Sequence, residues 1–150
     1  MKESQVDLDS ASSRSWYKPL LDATVTEMIS NGVVSGVAIE ATPVWMALNQ
    51  VLIARIWEAT RKTRFIWAIA GERVKTDYIS GNLAASAQEA AKHFALKWQG
   101  DSDRLKDLAK SGAPLENPKS HMEACNKLIG QAEFLYDLAE SDDIWRRQLK

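Results

Sequence analysis

"ARIWEATRKTRFIWAIAGE", residues 54–72, places two apolar runs, each with a tryptophan, on either side of a basic "RKTR". Runs so rich in β-branched and aromatic residues, this close together, read as an antiparallel hairpin. A three-residue turn at Arg61 to Thr63 sets Trp57 directly opposite Trp67. Ile53, Trp57, Phe65, Trp67 and Ile69 then share one face with Arg55, while Leu52, Ala54, Ile56, Ile66, Ala68 and Ala70 share the other. Neither face has the polar character of a surface made for water. Both are expected to be covered, either by helices or by a second copy of the chain. The "RKTR" is then the solvated tip of a hairpin. A base-stacking platform needs aromatics exposed beside the charges, and these tryptophans point into packed layers.

Upstream, "GVAIEAT" reads as a first strand stopped by Pro43, with "VWMAL" as a continuation after a bend. That makes a three-stranded meander. A helix precedes it from about Trp16, with Leu21, Val25 and Met28 at i, i+4 and i+7, ended by Asn31-Gly32. Pro19 fits this helix only in its first turn. Residues 1–13 are Ser- and Asp-rich without periodicity and read as a disordered tail.

Downstream, Gly71 closes the last strand and "ERVKTDYISGNLAA" reads as a connecting loop. Ser86 and Glu89 have the spacing of a capping box, followed by the stripe Ala90, Ala91, Phe94 and Trp98. Gly100 predicts a kink or break near "QGDSD". "SGAPLENPKS" is a loop. A last helix starts at Asn117-Pro118, or at Ser120 with Glu123, and buries Cys125, Leu128, Ile129, Ala132 and Leu135. Trp145 lies among charges in the tail. The reading is one α+β domain over residues 14–150: a three-stranded antiparallel meander packed with three helices, in the order α-β-β-β-α-α.

The 150 residues are 45% hydrophobic and 26% charged, which excludes wholesale disorder and allows one domain with a real core. A formal net charge of -1 supplies no field for a phosphate backbone. Nucleic-acid binding through Arg61, Lys62, Arg64, Arg146, Arg147 and Lys150 is therefore disfavoured. Cys125 is the single cysteine, so no internal disulfide forms, and no Cys/His spacing suggests a metal. With no signal-like start and no apolar run of about 20 residues, the expectation is a cytoplasmic protein without a membrane span.

Chemistry-bearing candidates are few. His93 borders the buried stripe of its helix, with Glu89 one turn earlier; the plain reading is a boundary histidine in a surface pair. His121 stands in the first turn of the last helix, and Cys125 lies on a buried stripe, where a thiol is inert packing. No G-x-S-x-G elbow or glycine-rich phosphate loop exists, so no catalytic residue, cofactor or metal is assigned. Among the acids, Glu40 sits mid-strand, Glu72 follows Gly71, and Asp77 adjoins Tyr78. If Glu40, Arg55 and Asp77 converge they line a small ligand site; an exposed acid or a structural Glu40/Arg55 pair is the plainer account.

"FIWAIAGE", then "DY", then "AAKHFALKW" and "AEFLYDL" together resemble a family of small uncharacterised gamma-proteobacterial proteins known only as a domain of unknown function. The resemblance covers residues 16–146 and rests on Trp67, Gly71, Asp77, His93, Phe94, Trp98 and Tyr136. It implies a small, soluble, bacterial cytoplasmic protein and carries no activity. Two functional expectations follow. The first is a non-catalytic interaction or accessory protein, a homodimer or partner of another protein, meeting its partner at Ala54, Ile56 and Ala68. The alternative is a small-molecule binding protein or unfamiliar enzyme, with a pocket of Glu40, Asp77, Tyr78 and His93 between the sheet and the helix containing His93.

Overall fold

The structure, a computed structural model, describes residues 10–35, 38–47, 49–59, 64–112 and 118–146. Within them run α1 (Ala11–Ser30), β1 (Ile39–Ala47), β2 (Val51–Glu58), β3 (Phe65–Ala70), β4 (Asp77–Ser80), α2 (Ala87–Lys110), α3 (Pro118–Ala139) and a short α4 (Asp142–Arg146). The class is α+β. The sheet is an antiparallel meander in the order β1-β2-β3-β4, one strand more than expected. The added strand is "DYIS", inside the segment read as a loop; Ile66 to Ile69 pair with Ser80 to Asp77.

The hairpin register differs from the expected one by two residues: Trp57 pairs with Phe65 and Arg55 with Trp67. An even shift leaves each side chain on its face. It also carries the Arg55 guanidinium over two rings, 5.0 Å from the centre of Phe65 and 5.1 Å from that of Trp67. Arg61, Lys62 and Thr63, where the three-residue turn was expected, lie outside the described residues.

β1 continues past Pro43 along Val44 to Ala47 after a bend, as the sequence predicts. It is an edge strand, where a missing N–H is tolerated, and a bulge between Pro43 and Trp45 makes Val44 the extra residue. The bulge turns Trp45 to the side of Thr42 and Arg55, so the odd-numbered Trp45 joins the bulky face and Met46 the alanine-rich one. Two cores result. One packs Trp45, Ile53, Trp67, Ile69 and Ile79 against Phe94, Trp98, Leu135 and Trp145. The other packs Met46, Leu52, Ala54, Ile56 and Ala68 against Tyr17, Leu21 and Met28 of α1. The sheet is thus sandwiched by the chain's own helices.

α1 begins before Trp16. The Ser10 hydroxyl accepts from the Ser13 N–H at 3.1 Å, and the buried face reads Ser13, Tyr17, Leu21, Thr24, Met28. Residues 11–13, expected in the tail, are therefore helical, and Pro19 lies inside the helix rather than in its first turn. It is accommodated because Pro19 and Ser15, whose carbonyl loses its usual donor, are both exposed to water. At the other end Gly32 takes φ +73° and the Val33 N–H closes on the Met28 carbonyl at 2.9 Å.

α2 starts as expected, with the Ser86 hydroxyl accepting from the Glu89 N–H at 3.1 Å and the Glu89 carboxylate accepting from the Ala85 N–H at 3.1 Å. It then runs through Gly100 without the break expected near that residue. The Phe94 and Trp98 side chains below it are fully buried, each contributing roughly 3 kcal/mol. α3 lies antiparallel to α2: His121 Nε2 reaches the Leu105 carbonyl at 2.6 Å near one end, and Gln88 donates to the Ala139 carbonyl at 2.8 Å near the other. Trp145 of α4 is docked, its ring stacked 3.9 Å from that of Trp45. Among the described residues no helix is long and apolar enough to cross a membrane.

Candidate protein-interaction surface

The four residues expected to line a ligand pocket are not brought together. Glu40, on edge strand β1, accepts from the indole N–H of Trp57 at 2.8 Å. Asp77 is on the opposite edge strand, β4. Three strand spacings and four residues of register separate them, about 14 Å across the sheet and about 13 Å along it. Tyr78, next to Asp77, points to the α1 side. His93 is half-buried on α2, one turn before Lys97, and forms no hydrogen bond among the described residues.

Asp77 is instead a structural clamp. Its Oδ1 accepts from Lys97 Nζ and from the Tyr78 N–H, and its Oδ2 from Lys97 Nζ and from the indole N–H of Trp98, all at 2.8 Å. A carboxylate offers about four lone-pair directions. All four are taken, so the group ties β4 to α2 and has nothing left for a ligand.

The expected interface residues Ala54, Ile56 and Ala68 are almost completely buried, and α1 is what covers them. A second copy reaches them only if α1 leaves. Cys125 is a free, buried thiol, and no cluster of metal-ligating side chains exists among the described residues. Arg64 is exposed just before β3, whereas Arg61, Lys62, Arg147 and Lys150 lie outside the described residues. A cleft of about 800 Å³ is lined by Val33, Trp57, Phe65, Tyr78 and Ser80.

A different surface stands out, on the outer side of the α2–α3 pair. A groove of about 650 Å³ runs between the helices, floored by Ala95 and Ala132 and walled by Leu96, Ile129 and Tyr136. Leu96 is 56% exposed and Tyr136 43%. Met122, 58% exposed, precedes Ile129 by seven residues, as Ile129 precedes Tyr136. Seven residues return a helix almost to the same side, so these three form a row beside the buried row Cys125, Ala132, Ala139. The apolar arc of α3 is wider than one partner helix needs. Asp103, Glu133 and Asp137 stand on the rim with Lys106.

The match to known families covers this helical pair and the sheet beneath it. Residues 11–145 match the family described as "Domain of unknown function (DUF4826)". The chain belongs to that family. No curated protein and no solved structure matches the chain. Membership assigns the chain no reaction.

Of the surface residues, the sequence pattern flags Ile129 and Ala132, both as core, and Tyr136 only through the family resemblance. The seven-residue recurrence 122, 129, 136 is the available signal, and it lies outside the buried stripe except at Ile129.

Proposed function

We propose that this member of the family is a non-catalytic interaction or accessory protein, and that its contact surface is the outer face of the α2–α3 pair. The observation that carries the reading is the apolar row Met122, Ile129 and Tyr136 on α3, exposed at both ends, with Leu96 across the groove from Tyr136. Scattered exposed apolar residues are ordinary, but an aligned set beside a groove marks a docking surface. Leu96, Met122 and Tyr136 are three of the six large apolar residues left exposed among the described residues, and they stand on one side of one helix pair. Glu40 and Asp77 stand on opposite edge strands and are each engaged by a tryptophan N–H, which favours this reading over a shared pocket. We place the protein in the cytoplasm of gamma-proteobacteria, a reducing setting in which the lone Cys125 thiol needs no partner.

The test is site-specific photocrosslinking in cells, with a benzophenone amino acid at Leu96 or Tyr136 and, as control, at the exposed Lys18 of α1. A discrete protein adduct from the groove positions and none from Lys18 is expected. No adduct at either groove position overturns the reading. Native mass spectrometry of the full chain then counts subunits: a dimer assigns the face to self-association, a monomer to another protein.

A further inference from the structure

Resting on that reading of the α2–α3 face, we infer that its occupant is an amphipathic helix with basic flanks, supplied by another protein. The row Met122, Ile129, Tyr136 spans about 21 Å at 1.5 Å per residue, four turns of α3. A groove between two antiparallel helices, with apolar anchors at helical spacing, is shaped for a third helix at ordinary packing distance. Leu96 and Tyr136 supply anchors from the two walls.

Charge selects among helices. Asp103, Glu133 and Asp137 bring three carboxylates to the rim against the single ammonium of Lys106. None of the three carboxylates forms an ion pair among the described residues, whereas the nearby Asp101 and Lys92 are already held by Arg104 and Glu140. The surplus is negative, and it lies beside the apolar row. A helix whose leucine-type stripe is bordered by Lys or Arg gains at both, while an acidic one is repelled. The same surplus argues against self-pairing. In a two-fold dimer the identical patch faces itself, so the carboxylates of one copy meet those of the other.

The experiment uses the full chain and a fluorescein-labelled synthetic peptide of about 18 residues, with leucines at i, i+3, i+4 and i+7 and lysines and arginines on the flanks. Two control peptides have the same leucines scattered, or glutamate in place of the basic residues. Fluorescence anisotropy is expected to rise with the basic amphipathic peptide alone. Leu96→Ser and Tyr136→Ser, both at exposed positions and checked for an unchanged melting curve, should each weaken binding by about tenfold. Asp103→Asn with Asp137→Asn should weaken it and flatten its dependence on salt. Equal binding of the scattered peptide, preference for the acidic one, absence of binding, or indifference to the groove substitutions overturns the inference. A dimer that closes the groove does so too. Failure here is separable from failure of the functional reading. Groove crosslinks that the basic peptide does not displace leave an interaction face with a different occupant, whereas absent crosslinks remove the face itself.

Discussion

Replacing Asp77 by alanine tests whether this carboxylate holds β4 to α2. The substitution removes the acceptor of four hydrogen bonds. The largest loss is at Trp98, whose buried indole N–H is left without a partner at a cost of about 1–3 kcal/mol. Lys97 loses its counter-ion, but its side chain is 38% exposed and water takes over much of the ammonium, so less than about 1 kcal/mol is assigned to it. The bond to the Tyr78 N–H is local and adds about 1 kcal/mol at most. Asp77→Ala should therefore cost about 2–4 kcal/mol, with Asp77→Asn in between. Lys97→Met should cost about 1 kcal/mol, because the carboxylate keeps two neutral donors. Urea unfolding followed by tryptophan fluorescence measures each value, provided the slope against denaturant is unchanged. A loss within about 0.5 kcal/mol for Asp77→Ala, or a larger one for Lys97→Met, would show that the indole bond does not hold the strand.

Gly71→Ala should destabilise by more than about 2 kcal/mol in the same assay, because a Cβ there overlaps the Gln50 carbonyl and backbone cannot rotate away. Trp145→Ala should cost about 3 kcal/mol and change the near-ultraviolet circular dichroism that the stacked indoles produce; an unchanged spectrum would mean that α4 is not docked in solution. Ser102 carries a buried hydroxyl with no partner among the described residues, so Ser102→Ala should raise the urea midpoint, by about 1 kcal/mol in stability. The hydrogen bond to Glu140, with its charge, raises Lys92 above the ordinary 10.5. The pair's stabilisation is then present below pH 10.5 and fades as pH rises through the higher folded value. Lys92→Met should accordingly leave the pH dependence of stability unchanged between pH 6 and 9, as compared by urea titration at each pH.

The faces of the sheet were legible because side-chain alternation survives any even slip of register. Trp67 and Ile53 share a side whether Trp67 pairs with Trp57 or with Arg55. The register itself was not legible, since nothing in residues 58–64 announces a long connection. α1 was started late because the serines at 10, 12, 13 and 15 resemble a polar tail. Ser10 is in fact a cap, and Ser13 is small enough to pack beneath the helix. β4 escaped because four residues carry too little alternation, and because Asp77, a poor strand former, is held there by Lys97 and Trp98 of α2, 20 and 21 residues further on. The candidate surface was half visible. Ile129 was recognised as apolar, but whether an apolar residue on α3 faces α2 or the groove depends on how the helices meet.

The stacking of Trp45 on Trp145 makes β1 wait for α4. Trp45 also reaches the carbonyl of Ile144, 99 residues further along the chain, at 3.4 Å. At ribosomal rates of about 5–20 residues per second, roughly 5–20 s pass between the two ends of that contact. During that interval α1 and the early strands can assemble, while the bulky side of β1, with a large indole beside an open strand edge, has no cover. The nascent chain therefore presents this surface until α4 has emerged and docked, so truncation just short of α4 should yield a protein that aggregates before it unfolds.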